Sequence, residues 1–128
     1  MTKRIKTLFL SIWNFLFNLL NCLYHCFSDV IMSGGLLSVN YEVFGQVQGR
    51  VFFRQNTVNT ASAQGCVGWV RNTHKGTVEG VVQGNKAQID FMKHWLSHVG
   101  SPFSTIDKCN FSNERSIESL EFKRFGVR

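Results

Sequence analysis

The sequence predicts an α+β fold: a ferredoxin-like β-α-β-β-α-β sandwich, with an antiparallel sheet and two helices on one face. Three observations carry this expectation. Residues 36–44 alternate with period two, placing Leu37, Val39, Tyr41 and Val43 on one face and Ser38, Asn40 and Glu42 on the other. Residues 86–99 repeat Ile89, Met92, Trp95, Leu96 and Val99 at helical spacing. Between them, two strand-like runs, 66–72 and 77–82, flank the short turn Thr73-His74-Lys75-Gly76.

The remaining elements follow in order. Residues 53–64 have modest helix propensity, but Phe53, Val58 and Ala61 can share a face and Gly65 supplies a stop. Gln83-Gly84-Asn85 ends the return strand. Gly100 closes the second helix, with Pro102 two residues later. Residues 104–110 and 119–127 read as two final strands separated by a loop at 111–118.

At 128 residues the chain suggests one domain, residues 36–128, preceded by a hydrophobic extension, residues 1–31. The single domain is expected to be a monomer. One proline, 12 Phe and 44% hydrophobic content argue for a packed core rather than disorder. The formal net charge of +6 is spread along the chain, so it suits an anionic small substrate better than a nucleic-acid stripe. Cys22, Cys26, Cys66 and Cys109 form no CxxC, and the histidines do not bracket them at zinc-finger spacing. His94 and His98 lie one helical turn apart without an evident third ligand. No metal and no cofactor are expected. Cys66 reads as core and Cys109 as a thiol in a polar loop.

Three readings stay open for the extension. Lys3, Arg4 and Lys6 precede a run from Leu8 to Phe27, as in a signal peptide or signal anchor. Ser11, Asn14, Asn18, Asn21 and His25 form a polar stripe on a helix, as in an interfacial or associating membrane helix. Met32-Ser33-Gly34-Gly35 also looks like an ordinary cytosolic start, which would make residues 1–31 an added segment. The domain is expected in the cytoplasm; the alternative is membrane association or secretion through residues 1–31.

The chemistry concentrates at Gly45-Gln46-Val47-Gln48-Gly49-Arg50-Val51-Phe52-Phe53-Arg54. Paired glycines let the backbone curl so that amides face inward around an anion. An arginine at the edge of the curl offers a permanently charged fork matched to phosphate oxygens. At these residues the chain resembles the acylphosphatase family. The resemblance extends through Val67-Gly68-Trp69-Val70-Arg71-Asn72-Thr73, Lys75-Gly76-Thr77-Val78, Gly100-Ser101-Pro102 and Asn110-Phe111-Ser112-Asn113-Glu114, and covers about residues 36–128.

The resemblance implies hydrolysis of acyl phosphates to carboxylate and phosphate. It assigns phosphate binding to Arg54 and water positioning to Asn72. It assigns the phosphate cradle to Gln46, Val47, Gln48, Gly49 and Arg50. The chain departs from the family pattern Gly-x-Val-Gln-Gly-Val-x-Phe-Arg by one extra residue, Arg50, inside the loop. The alternative reading is therefore an anion- or protein-binding domain with weakened catalysis.

Overall fold

The computed structural model describes residues 35–128, together with Asn18. The readings of residues 1–31 lie outside the described residues. Gly34–Arg128 makes one compact unit. Its elements run β1 (Leu36–Gln46), α1 (Phe53–Ala63), β2 (Val67–Asn72), β3 (Val78–Gly84), α2 (Lys86–His94, continued by a π-helical turn Trp95–Val99), β4 (Thr105–Ile117) and β5 (Phe125–Val127). The five strands form one sheet in the order β4-β1-β3-β2-β5.

Strand β1 lies inside the sheet between β4 and β3, antiparallel to both. Its alternation buries Val39, Tyr41 and Val43, as the period of two requires. Those residues sit opposite Val82, Gly80 and Val78 of β3. Gly80 carries no side chain because Tyr41 packs there, and the Tyr41 hydroxyl donates to the Trp69 carbonyl oxygen at 3.0 Å. The helices close over this face. Phe53 and Ala61 of α1, Ile89 and Met92 of α2, and Trp95 and Leu96 of the π-turn join the same core. Helix α2 begins with a capping box: Gln88 N donates to Asn85 Oδ1 and Asn85 N to Gln88 Oε1, both at 2.9 Å. Such a cap contributes about 1 kcal/mol.

The expected element order stands, with five corrections. The expected strand at 119–127 forms only over Phe125–Val127, as β5, and it pairs parallel to β2, placing Val70 opposite Val127, so the sheet is mixed rather than wholly antiparallel. The expected loop at 111–118 is strand as far as Ile117. Register shifts against β1, between Ser38 and Asn40 and between Phe44 and Gly45, each place an extra residue in β4. Most of β4 is exposed, which gives it a polar, loop-like composition. Val99 faces out, because the π-turn changes the helical phase before it. On α1, Thr57 rather than Val58 is fully buried, its hydroxyl donating to the Phe53 carbonyl oxygen at 2.7 Å. Cys109 lies in β4 beside the core, not in a polar loop.

Burial pushes both the Cys66 and the Cys109 thiols up to about 12. His94 and His98 are exposed, their rings 5.2 Å apart. Among the described residues no group of three or more His, Cys, Asp or Glu is placed to hold a metal ion. Among them, too, no helix is long and apolar enough to cross a membrane.

Candidate active site

Strand β1 ends in the loop that leads into α1. Gly45 has φ 138°, and a Cβ there would collide with the Thr105 backbone carbonyl, so only glycine fits. Gly49 has φ 79° with open space around it, so its requirement is conformational rather than steric. The extra residue is absorbed just beyond. Phe52 N donates to the Gly49 carbonyl oxygen at 3.2 Å, which folds residues 49–52 into a turn with Arg50 and Val51 at its centre.

This turn has a local cost. Phe52 is left in the left-handed region at φ 53°, although it has a bulky side chain. A residue held there costs about 1–3 kcal/mol. Hydrogen bonds hold it in place: its carbonyl oxygen accepts from Asn56 N at 3.1 Å and from Asn56 Nδ2 at 2.9 Å. Phe52 thereby caps α1 without a side-chain cap. The turn also engages the Phe52 N–H, so that amide is spent inside the loop.

Arg54 stands in the first turn of α1 and is exposed. Among the described residues no carboxylate lies within ion-pair distance of it. A cation at a helix N-terminus opposes the helix dipole. The helix start carries no acidic residue to offset that repulsion.

The second wall comes from the β2–β3 hairpin. Alternation along β2 puts Asn72 on the helix-covered face with Val70, and Arg71 on the other. The Asn72 carboxamide oxygen is buried and has no hydrogen-bond partner. The hairpin beside it is densely bonded. Thr73 N donates to the Thr77 carbonyl oxygen at 2.9 Å, and the two threonine hydroxyls are 2.6 Å apart. The Thr77 hydroxyl donates to Glu42 Oε2 at 2.7 Å, and Lys75 Nζ lies 3.2 Å from the same oxygen. The Thr77 hydrogen bond is the chief reason the Glu42 carboxyl is held below its ordinary value. Gln48 ties the loop to this hairpin: its Nε2 donates to the carbonyl oxygens of Thr73 and Thr77, both at 2.8 Å.

The two walls enclose a cavity of about 340 Å³. It brings together Val47, Gln48, Gly49, Arg54 and Asn72 of the expected set. Gln46 and Arg50 sit on the loop, exposed, but do not line it. Phe52, Phe53, Gln55 and Val127 also line it, and sequence reasoning did not single them out. Phe52 and Gln55 flank residues of the motif and could have been suspected from adjacency. Val127 arrives only through the parallel pairing of β5.

The comparisons with known proteins agree with this architecture. The acylphosphatase family model matches residues 39–127. The chain belongs to the acylphosphatase family. It is 58% identical over 93 residues to acylphosphatase-2 of Cavia porcellus, covering 73% of this chain and 93% of that relative. Human acylphosphatase-2 is 57% identical over the same shares. A solved acylphosphatase from Coxiella burnetii superposes with a TM-score of 0.65 at 30% identity, covering 75% of this chain and 96% of its own.

Proposed function

We propose that this chain hydrolyses the carboxyl–phosphate bond of small acyl phosphates at the cavity between the phosphate loop and the β2–β3 hairpin. The observation that carries the reading is the joint placement of Arg54, the Val47–Gly49 segment of the loop and the unpartnered Asn72 carboxamide oxygen around one cavity. The relatives' shared name favours hydrolysis over a domain that only binds anions or proteins.

An acyl phosphate carries a good leaving group, so positioning and charge stabilisation can supply much of the catalysis. Arg54 takes the phosphoryl oxygens through its guanidinium fork. The loop amides and the N-terminus of α1 add donors on the same side. This explains why a cation is kept where the helix dipole disfavours it. The Asn72 carboxamide oxygen accepts a hydrogen bond from the attacking water, and its amide stays neutral at working pH. The water oxygen forms the new bond to phosphorus. The old P–O electron pair leaves on the carboxylate, and a water proton ends on a phosphoryl oxygen. The products are carboxylate and dihydrogen phosphate.

The test is phosphate release from benzoyl phosphate. Arg54→Ala and Asn72→Ala should each lower kcat/KM by about 100-fold or more, for Arg54 the scale for removing a preorganised donor at a reacting charge and for Asn72 the scale for misplacing a reacting group by about 1 Å. Turnover surviving both substitutions would refute the assignments.

The working unit in this reading is residues 36–128, acting as a monomer in the cytoplasm. Recovery of the full-length chain with membranes after cell fractionation would overturn that placement and assign residues 1–31 an anchoring role.

A further inference from the structure

Among the described residues five large apolar side chains are exposed, and four of them lie at one end of the sheet. Phe103 is 80% exposed and Phe52 64%, while Val99 and Val127 are half-exposed. The topology sets this placement. Gln46, the last residue of β1, pairs with Thr105, the first of β4. The loop carrying Phe52 and the segment carrying Val99 and Phe103 therefore leave the sheet at the same end. Strand β5 runs parallel to β2, so Val127 reaches that end beside Val70. A Cβ on Gly100 would stand 3.0 Å from the Phe53 ring, so the segment 99–104 lies against the start of α1. The fifth side chain, Leu120, lies at the opposite end, next to the Glu121 that bonds Gln83 of β3.

Both phenylalanines stand on turns with fixed backbone. Phe52 closes the turn of residues 49–52. Ser104 N and Oγ both donate to the Ser101 carbonyl oxygen, at 3.1 and 2.7 Å, which folds residues 101–104 into a second turn with Pro102 and Phe103 at its tip. None of the four side chains belongs to the hydrophobic core. Single exposed apolar residues are ordinary, whereas several gathered on one side mark a contact surface.

Charge points to the partner. Among the described residues Arg50, Arg54, Lys108 and Arg128 have no carboxylate within ion-pair distance. All four belong to this end: Arg50 and Arg54 to the loop and helix start, Lys108 opposite Phe44 near the end of β1, and Arg128 just after β5. Asp107 is the one acid beside them without a base. Elsewhere Asp90, Glu114 and Glu121 are each paired with a base. Arg54 is given to the cavity, which leaves three cations for an outside partner. Rings on protruding turns suit a fluid interface, which needs no complementary pocket, and cations around them meet anionic headgroups.

We propose that this end of the domain docks reversibly on anionic lipid surfaces, with Phe52 and Phe103 entering the interface and Arg50, Lys108 and Arg128 facing the headgroups. The proposal does not depend on the hydrolytic reading.

The experiment sediments the full chain with vesicles of phosphatidylcholine alone and of phosphatidylcholine mixed with phosphatidylserine, at low salt. The parent should partition onto the mixed vesicles and release as salt rises. Phe103→Ser should lower that partition by about tenfold, the low end for burying one phenylalanine. Arg50→Gln should lower it by about fivefold, the scale of one cation at an anionic surface. Phe103 lies outside the core, so Phe103→Ser should melt with the parent. Both variants keep residues 1–31, so contact made by that segment alone would leave parent and variants alike, and equal partition of the three would overturn the docking surface. Absence of binding to mixed vesicles would overturn it as well, and equal partition onto the two vesicle types would overturn the assignment to anionic lipid. Phe103→Trp reads insertion directly: its fluorescence should shift to the blue on mixed vesicles by more than the parent's does. No added shift would overturn entry of the 101–104 turn into the interface.

Discussion

The two walls of the site are built by opposite means. The β2–β3 hairpin is a closed network in which Thr73, Thr77, Glu42 and Lys75 bond to one another. The loop at residues 45–54 depends on left-handed or strained backbone at Gly45, Gly49 and Phe52. Among the described residues, Gln48 supplies the loop's side-chain bonds to the hairpin. The contrast teaches where precision originates. The hairpin holds Asn72 by redundancy, since several bonds fix the same turn. The loop, proposed above to bind the phosphoryl group, borrows that rigidity through one carboxamide.

Breaking the link is therefore the most damaging change to the comparison. Gln48→Ala should lower kcat/KM on benzoyl phosphate by about 100-fold, the scale for a misplacement of about 1 Å. Stability should fall by only about 1–2 kcal/mol, because the lost bonds are two neutral ones. The carbonyls left behind keep other donors: Thr73 N for Thr77, and Gly76 N for Thr73. A thermal melt run beside the assay separates the two effects. A rate within threefold of the parent would show that the loop holds its own shape.

Removing the insertion tests the loop from the other direction. Deleting Arg50 restores the family's loop length and frees the amide now spent on the turn of residues 49–52. It also asks whether Phe52 keeps φ 53° in the shorter loop. Activity should rise by about tenfold if the insertion displaces loop amides by a fraction of the 1 Å scale. Relief of about 1 kcal/mol of strain should raise the melting temperature by roughly 4–8 °C. An unchanged rate would mean that the turn absorbs Arg50 without disturbing the amides around the phosphate.

The same contrast explains what could be read from the sequence. Arg54, Asn72 and residues 47–49, to which the family resemblance pointed, meet around one cavity. The core of β1 was legible because Val39, Tyr41 and Val43 alternate. Strand β4 was not, since an exposed, bulged strand containing Asn113 at φ 50° has the composition of a loop. Val127 was invisible for a different reason. It reaches the cavity through a three-residue parallel strand paired far along the chain, and such pairing leaves no local pattern. The left-handed Phe52 was hidden too, because a bulky side chain gives no local signal for that backbone region.

The smallest effect asks whether the framework can be weakened independently of the loop. Burial raises Cys66 and Cys109 from an ordinary 9.0 to about 12, and raises Tyr41 well above its usual value. Each group is favoured in its protonated form by the fold. Their contribution is therefore fully present below about pH 9 and is lost as pH rises from there toward 12. Unfolding stability should hold level from neutral pH to about 9 and then decline. The double substitution Cys66→Ala and Cys109→Ala should flatten part of that decline, leaving the share due to Tyr41. Neither thiol lines the cavity, so phosphate inhibition measured on the still-folded protein should not follow the thiol-dependent part of the curve. Denaturant titrations across this window, paired with inhibition by inorganic phosphate, measure both quantities. An alkaline decline identical in parent and double variant would remove the thiols from the framework's account. A phosphate affinity that followed the thiol-dependent decline would show that loop and framework weaken as one unit, contrary to the division drawn from their hydrogen bonds.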